Sequence, residues 1–218
     1  MDVNLTERIH WLGHDGFWIK DRLNIYIDPY KIDDGGPPAD LLLITHDHSD
    51  HLSEPDIKKV RQSSTVVVAS PACAAKLPDA KILAPGQSTQ VGEVVVEAVA
   101  AYNTNKYREP GKHFHPKEMV GAGYILTLSN RVRVYHAGDS DLTPEMSHVK
   151  CDVALLPCSG TYVMTAEEAA DAARAISPKV AIPMHYGALV GSPDDAKRFR
   201  DLAAPVKVEI LEHHHFGV

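Results

Sequence analysis

Cysteine is scarce. The 218 residues hold three, Cys73, Cys151 and Cys158, with no CxxC or Cys–His spacing. That excludes a thiolate metal cluster or a disulfide framework and leaves buried or idle thiols in a reducing compartment. Long hydrophobic runs are also missing: nothing approaches the roughly 20 apolar residues of a membrane span. The N-terminal string "MDVNLTERIH" lacks the apolar core of a secretory signal, so a cytoplasmic location is expected. Basic residues are in deficit, 22 Lys and Arg against 29 Asp and Glu, for a net charge of −7. This argues against long nucleic acids, which need basic patches to displace counterions, and leaves room for a small anionic substrate held at a cation. No stretch rich in Gly, Ser or Pro reads as a linker, so residues 1–218 are expected to form one domain, long enough to bury a core.

Histidine is in surplus. Of its 13 copies, eight bunch at His46, His48 and His51, at His113 and His115, and at His213 to His215. Around them, "RIHWLGHDGFWIKDRLNIYIDPY" reads as short strands broken at Gly13, Gly16 and Asp28-Pro29, an antiparallel meander. "DLLLIT" has the unbroken apolar character of a strand covered on both faces. Ser53 is placed to cap a helix over "EPDIKKVRQ". "STVVVAS", "VVVEAVAAY", "GAGYILTLS", "RVRVYHAGD", "CDVALLP", "KVAIPMH" and "KVEIL" read as further strands, the fourth pairing with the third as a hairpin. "PACAAKL" is expected as a short helix. Thr165 and Glu168 form a capping box before "AEEAADAARAI", and Ser192-Pro193 opens a second helix over "SPDDAKRFRDLA". Residues 101–120 are the one long irregular segment, a length that is usually functional or mobile. Two sheets packed together with helices outside satisfy this order, and the two halves could be related as similar β-rich units.

The chemistry concentrates in "LLLITHDHSDH". His46 and His48, two apart, point to one side of an extended segment. Asp50 and His51 converge on them after a turn. Imidazole and carboxylate suit Zn²⁺ and related divalent ions, and four such groups in six residues behind a buried strand is a pattern a plain polar turn rarely gives. Two other strands end on single donors, Asp139 after "VYHAGD" and His185 after "AIPMH". A turn aspartate and a core histidine are the plainer readings of these two.

HxHxDH after an apolar strand, then GD, then a late strand ending in HY, resembles the metallo-β-lactamase superfamily. The likeness runs through nearly the whole chain in "WLGHDGFWI", "IYIDPY", "THDHSDH", "YHAGDSDLTPEM", "DVALLPCSGTYVMTAEEA" and "AIPMHYG". It is nearest to small metal-dependent hydrolases that look like ascorbate-6-phosphate lactonases and, more distantly, N-acyl phosphatidylethanolamine phospholipase D. The resemblance implies an α/β (α+β) fold, a four-layer αββα sandwich, with a binuclear metal centre at one edge. His46 and His48 would bind the first ion, Asp50, His51 and His185 the second, and Asp139 both. Asp47 and Ser49 fall at variable positions. His at position 48, where a redox di-iron branch would carry Glu, sets the chain apart from that branch. The family's mid-chain histidine is replaced here by Asn103; His115, returning on the long loop, is the expected substitute and His113 the next choice. Zinc, one or two ions, is the first expectation, with manganese or iron as alternatives.

Such ions bring the pKa of bound water towards roughly 7, so the implied reaction is hydroxide attack on an ester, lactone or phosphodiester. Asp50 and His185 are the expected catalytic groups, Asp50 orienting the nucleophile or passing its proton to the leaving group. Asn103 is a candidate to hydrogen-bond a substrate oxygen, and His14 and Tyr186 to line the pocket. Tyr162 fits pocket or core, His136 a structural role, and Lys106, Arg108 and Lys112 a solvated loop surface before an anion trap. A short metal-dependent nuclease and a non-catalytic metal-binding member are the competing readings; the acidic balance weighs against the first and the intact donor set against the second. A homo-oligomer in which the long loop closes a neighbour's pocket is compatible with the sequence. His213 to His215, which resemble an interrupted purification tag, are expected as an exposed or partner-contacting tail with adventitious metal binding.

Overall fold

A computed structural model describes residues 5–217; residues 1–4 of the N-terminal segment and Val218 lie outside the described residues. The opening meander is β1 (Ile9–Trp11), β2 (Phe17–Lys20) and β3 (Asn24–Ile27), each antiparallel to the next. β4 (Leu41–Ile44), β5 (Val66–Ala69) and β6 (Lys81–Ile82) then add in parallel to complete a six-stranded sheet. A hairpin of β7 (Ser88–Val91) and β8 (Val94–Ala100) starts the second sheet. The long irregular segment holds a two-stranded ribbon, β9 (Tyr107–Glu109) and β10 (Lys112–His113). Beyond it β11 (Ala122–Thr127) pairs with β8 and with β12 (Arg133–His136), both antiparallel, the second being the expected hairpin. β13 (Val153–Pro157), β14 (Val180–Met184) and β15 (Lys207–Val208) follow in parallel. Each sheet is thus an antiparallel meander continued by three parallel strands, the repetition suggested by two β-rich halves.

The strand β4 explains the layering. Leu41 and Leu43 face the core between the sheets, among Ile19, Ile25, Val96 and Leu126. Leu42 and Ile44 face the other way, onto Ile57 and Val60 of the helix α1 (Glu54–Val60). Successive side chains alternate across a strand, so an all-apolar strand must be covered on both faces. On the second sheet, α2 (Ala166–Ile176) rests on β13 and α3 (Pro193–Leu202) on β14. The layer order is helix, sheet, sheet, helix. Fully burying one leucine here contributes about 1.5–3 kcal/mol.

Both later helices open on reciprocal capping boxes, Thr165 with Glu168 and Ser192 with Asp195. The helix α1 does not. Ser53 donates instead to the Asp56 carboxylate (2.5 Å), which also accepts the backbone N–H groups of Lys31 and Ile32, tying the loop after β3 to the helix. The sequence "PACAAKL" keeps only a 3₁₀ turn, Pro71–Cys73. β6 and β7 carried no signal because their residues are polar or exposed at a sheet edge.

The histidine tail is not loose. His214 N–H donates to the Trp11 carbonyl (2.7 Å), the His213 ring reaches the Leu12 carbonyl (2.9 Å), and the His215 ring meets Asp33 (2.8 Å). Phe216 is 8% exposed, packed on Trp18 and Tyr26. One buried aromatic, read earlier as an interruption, anchors the segment against β2 and β3.

Candidate metal centre

The donors arrive at the C-terminal ends of parallel strands. β4 runs through Thr45 into a turn closed by Leu52 N–H on the His48 carbonyl (2.8 Å). β12 ends at His136, whose Nδ1 accepts Gly138 N–H (3.1 Å) while its Nε2 donates to the Asp15 carbonyl (2.9 Å), a structural role. Gly138 has φ of +63°, and an added Cβ would meet the Ala122 carbonyl at 3.2 Å, so glycine lets the chain turn and present Asp139. β14 ends at His185. His14, Asp28 and His185 all hold positive φ (50°, 42° and 59°), a costly conformation for residues other than glycine that clusters at functional sites. From the long loop, His115 N–H donates to Asn103 Oδ1 and its carbonyl accepts Asn103 N–H, both 2.8 Å.

Asp139 is the meeting point. Its carboxylate oxygens lie 3.2 Å from His115 Nε2, 3.3 Å from His51 Nε2, 3.3 Å from His185 Nε2 and 3.9 Å from His46 Nε2. Donor atoms of His46, His48 and His115 gather within 4.8 Å of one another, as do those of His14, Asp50, His51 and His185, and of Asp15, His51, Asp139 and His185. His113 joins none of these groups; it stacks on Tyr107 at 4.4 Å. His46 Nε2, His51 Nε2, His185 Nε2 and Asp139 Oδ1 are buried without a hydrogen-bond partner. Orphaned polar atoms are expensive, and here they point at one another. Divalent cations fit this donor set in type, burial and number.

Partners on the far side of each ring fix its aim. His51 donates Nδ1–H to buried Asp28 (2.8 Å), which also accepts Thr45 N–H (2.9 Å) and Thr45 Oγ1–H (2.5 Å). The Thr45 hydroxyl oxygen lies 3.1 Å from His46 Nδ1. His115 Nδ1 donates to Asn103 Oδ1 (3.1 Å), and His185 Nδ1 meets Ser159 Oγ (2.9 Å). A carboxylate or amide oxygen only accepts, so His51 and His115 carry their proton on Nδ1 and turn a bare Nε2 inward when neutral. Asp28 and Ser159 were missed in the sequence; "IYIDPY" held one as a turn residue, and nothing marked the other.

Burial and neighbouring charges sort the donors into two sets. Burial holds His46 well below the usual imidazole range and His115 at about 4, and it lowers His48 and His14 as well. Asp139 is driven the other way: burial disfavours its charge, yet His185, His51 and His115 outweigh it and keep the carboxyl well below normal. Asp50 behaves alike, held at about 2 against burial by the His14 hydrogen bond and His51. For His185, burial is overcome by Asp139 and Asp15 and the ring rises to about 9; His51 rises against burial through Asp139 and Asp28.

A cleft of about 430 Å³ opens over the cluster, lined by His48, Asp50, His115 and Asp139 and, from outside the cluster, by Arg108, Phe114, Tyr162 and Leu189. A larger groove of about 830 Å³ beside His10 and Trp18 holds none of the donors. Three expected substrate contacts are placed elsewhere. Asn103 is 2% exposed, with its oxygen on His115 and its Nδ2 donating to the Tyr162 carbonyl, and it does not line the cleft. Tyr186 stacks on Trp11 (4.9 Å) and borders a separate cavity of about 230 Å³. His14 is buried, its Nε2 3.1 Å from Asp50 Oδ2, a neighbour of the donors and not of the cleft. On the long loop, Lys106 is tied to Glu168 and Lys112 to Glu109; Arg108 alone of the three faces the cleft, over the Phe114 ring.

Residues 8–185 match the family described as Beta-lactamase superfamily domain. A UPF0173 metal-dependent hydrolase of Methanopyrus kandleri is 33% identical over 227 residues, spanning 94% of this chain and 96% of its own. A second, from Methanoculleus marisnigri, is 33% identical over 94% of this chain and 93% of its own. A crystal structure described as a metal-dependent hydrolase of Parabacteroides distasonis aligns with a TM-score of 0.82 at 36% identity over 94% of this chain and 93% of that one. Igni18, a metallo hydrolase of Ignicoccus hospitalis, shares the fold at a TM-score of 0.74 and 23% identity, covering 94% of each chain.

Proposed function

Since the chain belongs to the metallo-β-lactamase superfamily, with relatives named metal-dependent hydrolases, we propose that it hydrolyses a small ester, lactone or phosphodiester at two divalent cations. One observation carries this reading: four imidazoles converge on the buried carboxylate of Asp139 with their Nε2 atoms inward and three of those atoms unpartnered. In it, His46, His48 and His115 would hold the first ion, Asp50, His51 and His185 the second, and Asp139 would be available to both. Bound there, the ions would supply Lewis acidity and lower the pKa of water. Asp50 is the one carboxylate of the second group on the cleft wall, so Asp50 orients the attacking water and takes its proton. His185 does not reach the cleft, and its part is that of a holder with Ser159 behind it.

The cleft suggests what enters. Arg108 makes no ion pair among the described residues, so its guanidinium is available to an anionic group on the substrate, and Phe114, Tyr162 and Leu189 offer apolar contact beside it. A cleft of about 430 Å³ suits a small molecule.

The test is metal analysis of freshly purified protein together with a panel of esters, lactones and phosphodiesters, each with and without a carboxylate or phosphate group. Turnover of one bond class is expected, abolished in His48→Ala and Asp139→Ala while folding persists. Unchanged turnover in either variant overturns the proposal.

A further inference from the structure

Asp15 belongs to one of the donor groups, yet the two-cation reading gives its carboxylate no role. It follows His14 in the turn between β1 and β2, where Leu12 N–H donates to the Gly16 carbonyl and Gly16 N–H to the Gly13 carbonyl, both 2.8 Å. Its own carbonyl is held by His136 (2.9 Å). The turn is therefore rigid, and the side chain it carries is completely buried, with neither carboxylate oxygen finding a hydrogen-bond partner. An ionised carboxylate in such a place costs several kcal/mol unless a cation or a donor meets it. Around it, within 4.8 Å, are donor atoms of His51, Asp139 and His185.

His51 and His185 also belong to the group that includes Asp50. Asp50 approaches those two rings from the cleft, and Asp15 from the buried side.

We propose that Asp15 is a further ligand of the second cation, entering from the side away from substrate. This rests on the two-cation reading above and adds to it that the two positions differ chemically. The first is built from three imidazoles and a share of Asp139. The second would have two imidazoles, the shared Asp139, and two carboxylates of its own, Asp50 and Asp15. Oxygen donors favour harder ions such as Mn²⁺, whereas imidazole suits Zn²⁺. The second position therefore discriminates against Zn²⁺ relative to the first, and Asp15 is a reason for it.

The experiment is equilibrium dialysis of cation-free protein against Mn²⁺ and, separately, Zn²⁺, for the wild type and for Asp15→Asn, which keeps the shape and removes the charge. Two ions are expected on the wild type. In Asp15→Asn the first should bind as before and the second at least tenfold more weakly, with a larger loss for Mn²⁺ than for Zn²⁺. Equal second-ion affinity in the two proteins overturns this inference alone, while a wild type that binds no cation overturns the function proposed above as well. A crystal of the wild type soaked in Mn²⁺ and measured at the manganese edge gives a test without any variant. Anomalous density contacting an Asp15 oxygen supports the assignment, and density contacting His51 and His185 but not Asp15 refutes it.

Discussion

Replacing Asp28 by Asn isolates the idea that a ring's far side decides what its near side can bind. The carboxylate is fully buried, accepting Thr45 N–H (2.9 Å), Thr45 Oγ1–H (2.5 Å) and His51 Nδ1–H (2.8 Å). Asparagine matches its shape and tolerates the positive φ of 42° at this position, so backbone strain does not enter. Its amide oxygen can keep Thr45 N–H. The amide NH₂ then faces His51 Nδ1 and can only donate. His51 is forced to carry its proton on Nε2, the atom 3.3 Å from Asp139, and a protonated nitrogen has no lone pair for a cation. Losing such a partner typically costs 10–100-fold in metal affinity, or about 1.4–2.8 kcal/mol. Loss of a charge-assisted hydrogen bond should also lower folding stability by about 1.5–3 kcal/mol. Dialysis against a divalent ion should therefore show the position at His51 weakened 10–100-fold and the one at His46, His48 and His115 nearly unchanged, with hydrolysis falling in step. Wild-type affinity at both positions in Asp28→Asn would refute the tautomer argument.

Asn103→Ala should weaken the other position by a similar 10–100-fold, because His115 loses the oxygen that fixes its ring; second-position affinity serves as the internal control. Acid should weaken cation binding. His185 is raised to about 9, and His51 also lies above the ordinary value, so at pH 7 both hold protons that an incoming cation must displace. Affinity should climb with pH, by as much as about tenfold per unit for each proton displaced, with the His185 contribution complete near pH 9. Calorimetry at pH 7 in two buffers of different ionisation enthalpy would reveal the released protons, and identical heats in both would count against this. In the core, Leu43→Ala should cost about 2–5 kcal/mol in a denaturant titration, since the leucine is fully buried between the sheets; a loss below about 1 kcal/mol would mean the layers close over the gap.

Much of this was written locally. An unbroken apolar run specified that β4 is covered twice, and capping residues specified where α2 and α3 begin. The four donors in "THDHSDH", of two types, point to a cation site because their spacing along six residues already brings them together. Asp139 and His185 could be picked out only as lone donors at strand ends, with the resemblance supplying their partners. What the chain order could not reveal is which side of a residue is occupied. Asn103 looked like a substrate contact until the loop 101–120 folded His115 onto it; Asp28 looked like a turn residue, and nothing singled out Ser159 or Asp15, until strands far apart in sequence enclosed them. Tyr186 was assigned to the pocket, and stacking on Trp11 moved it; the histidine tail keeps His213 and His215 exposed as expected, but buried Phe216 and the bond of His214 to Trp11 pin it to the first sheet. Residue type and spacing settle what a side chain is able to bind, because that is a property of its own atoms. Which of its bonds remain free depends on groups brought in by long-range packing, and that is decided only when the two sheets meet.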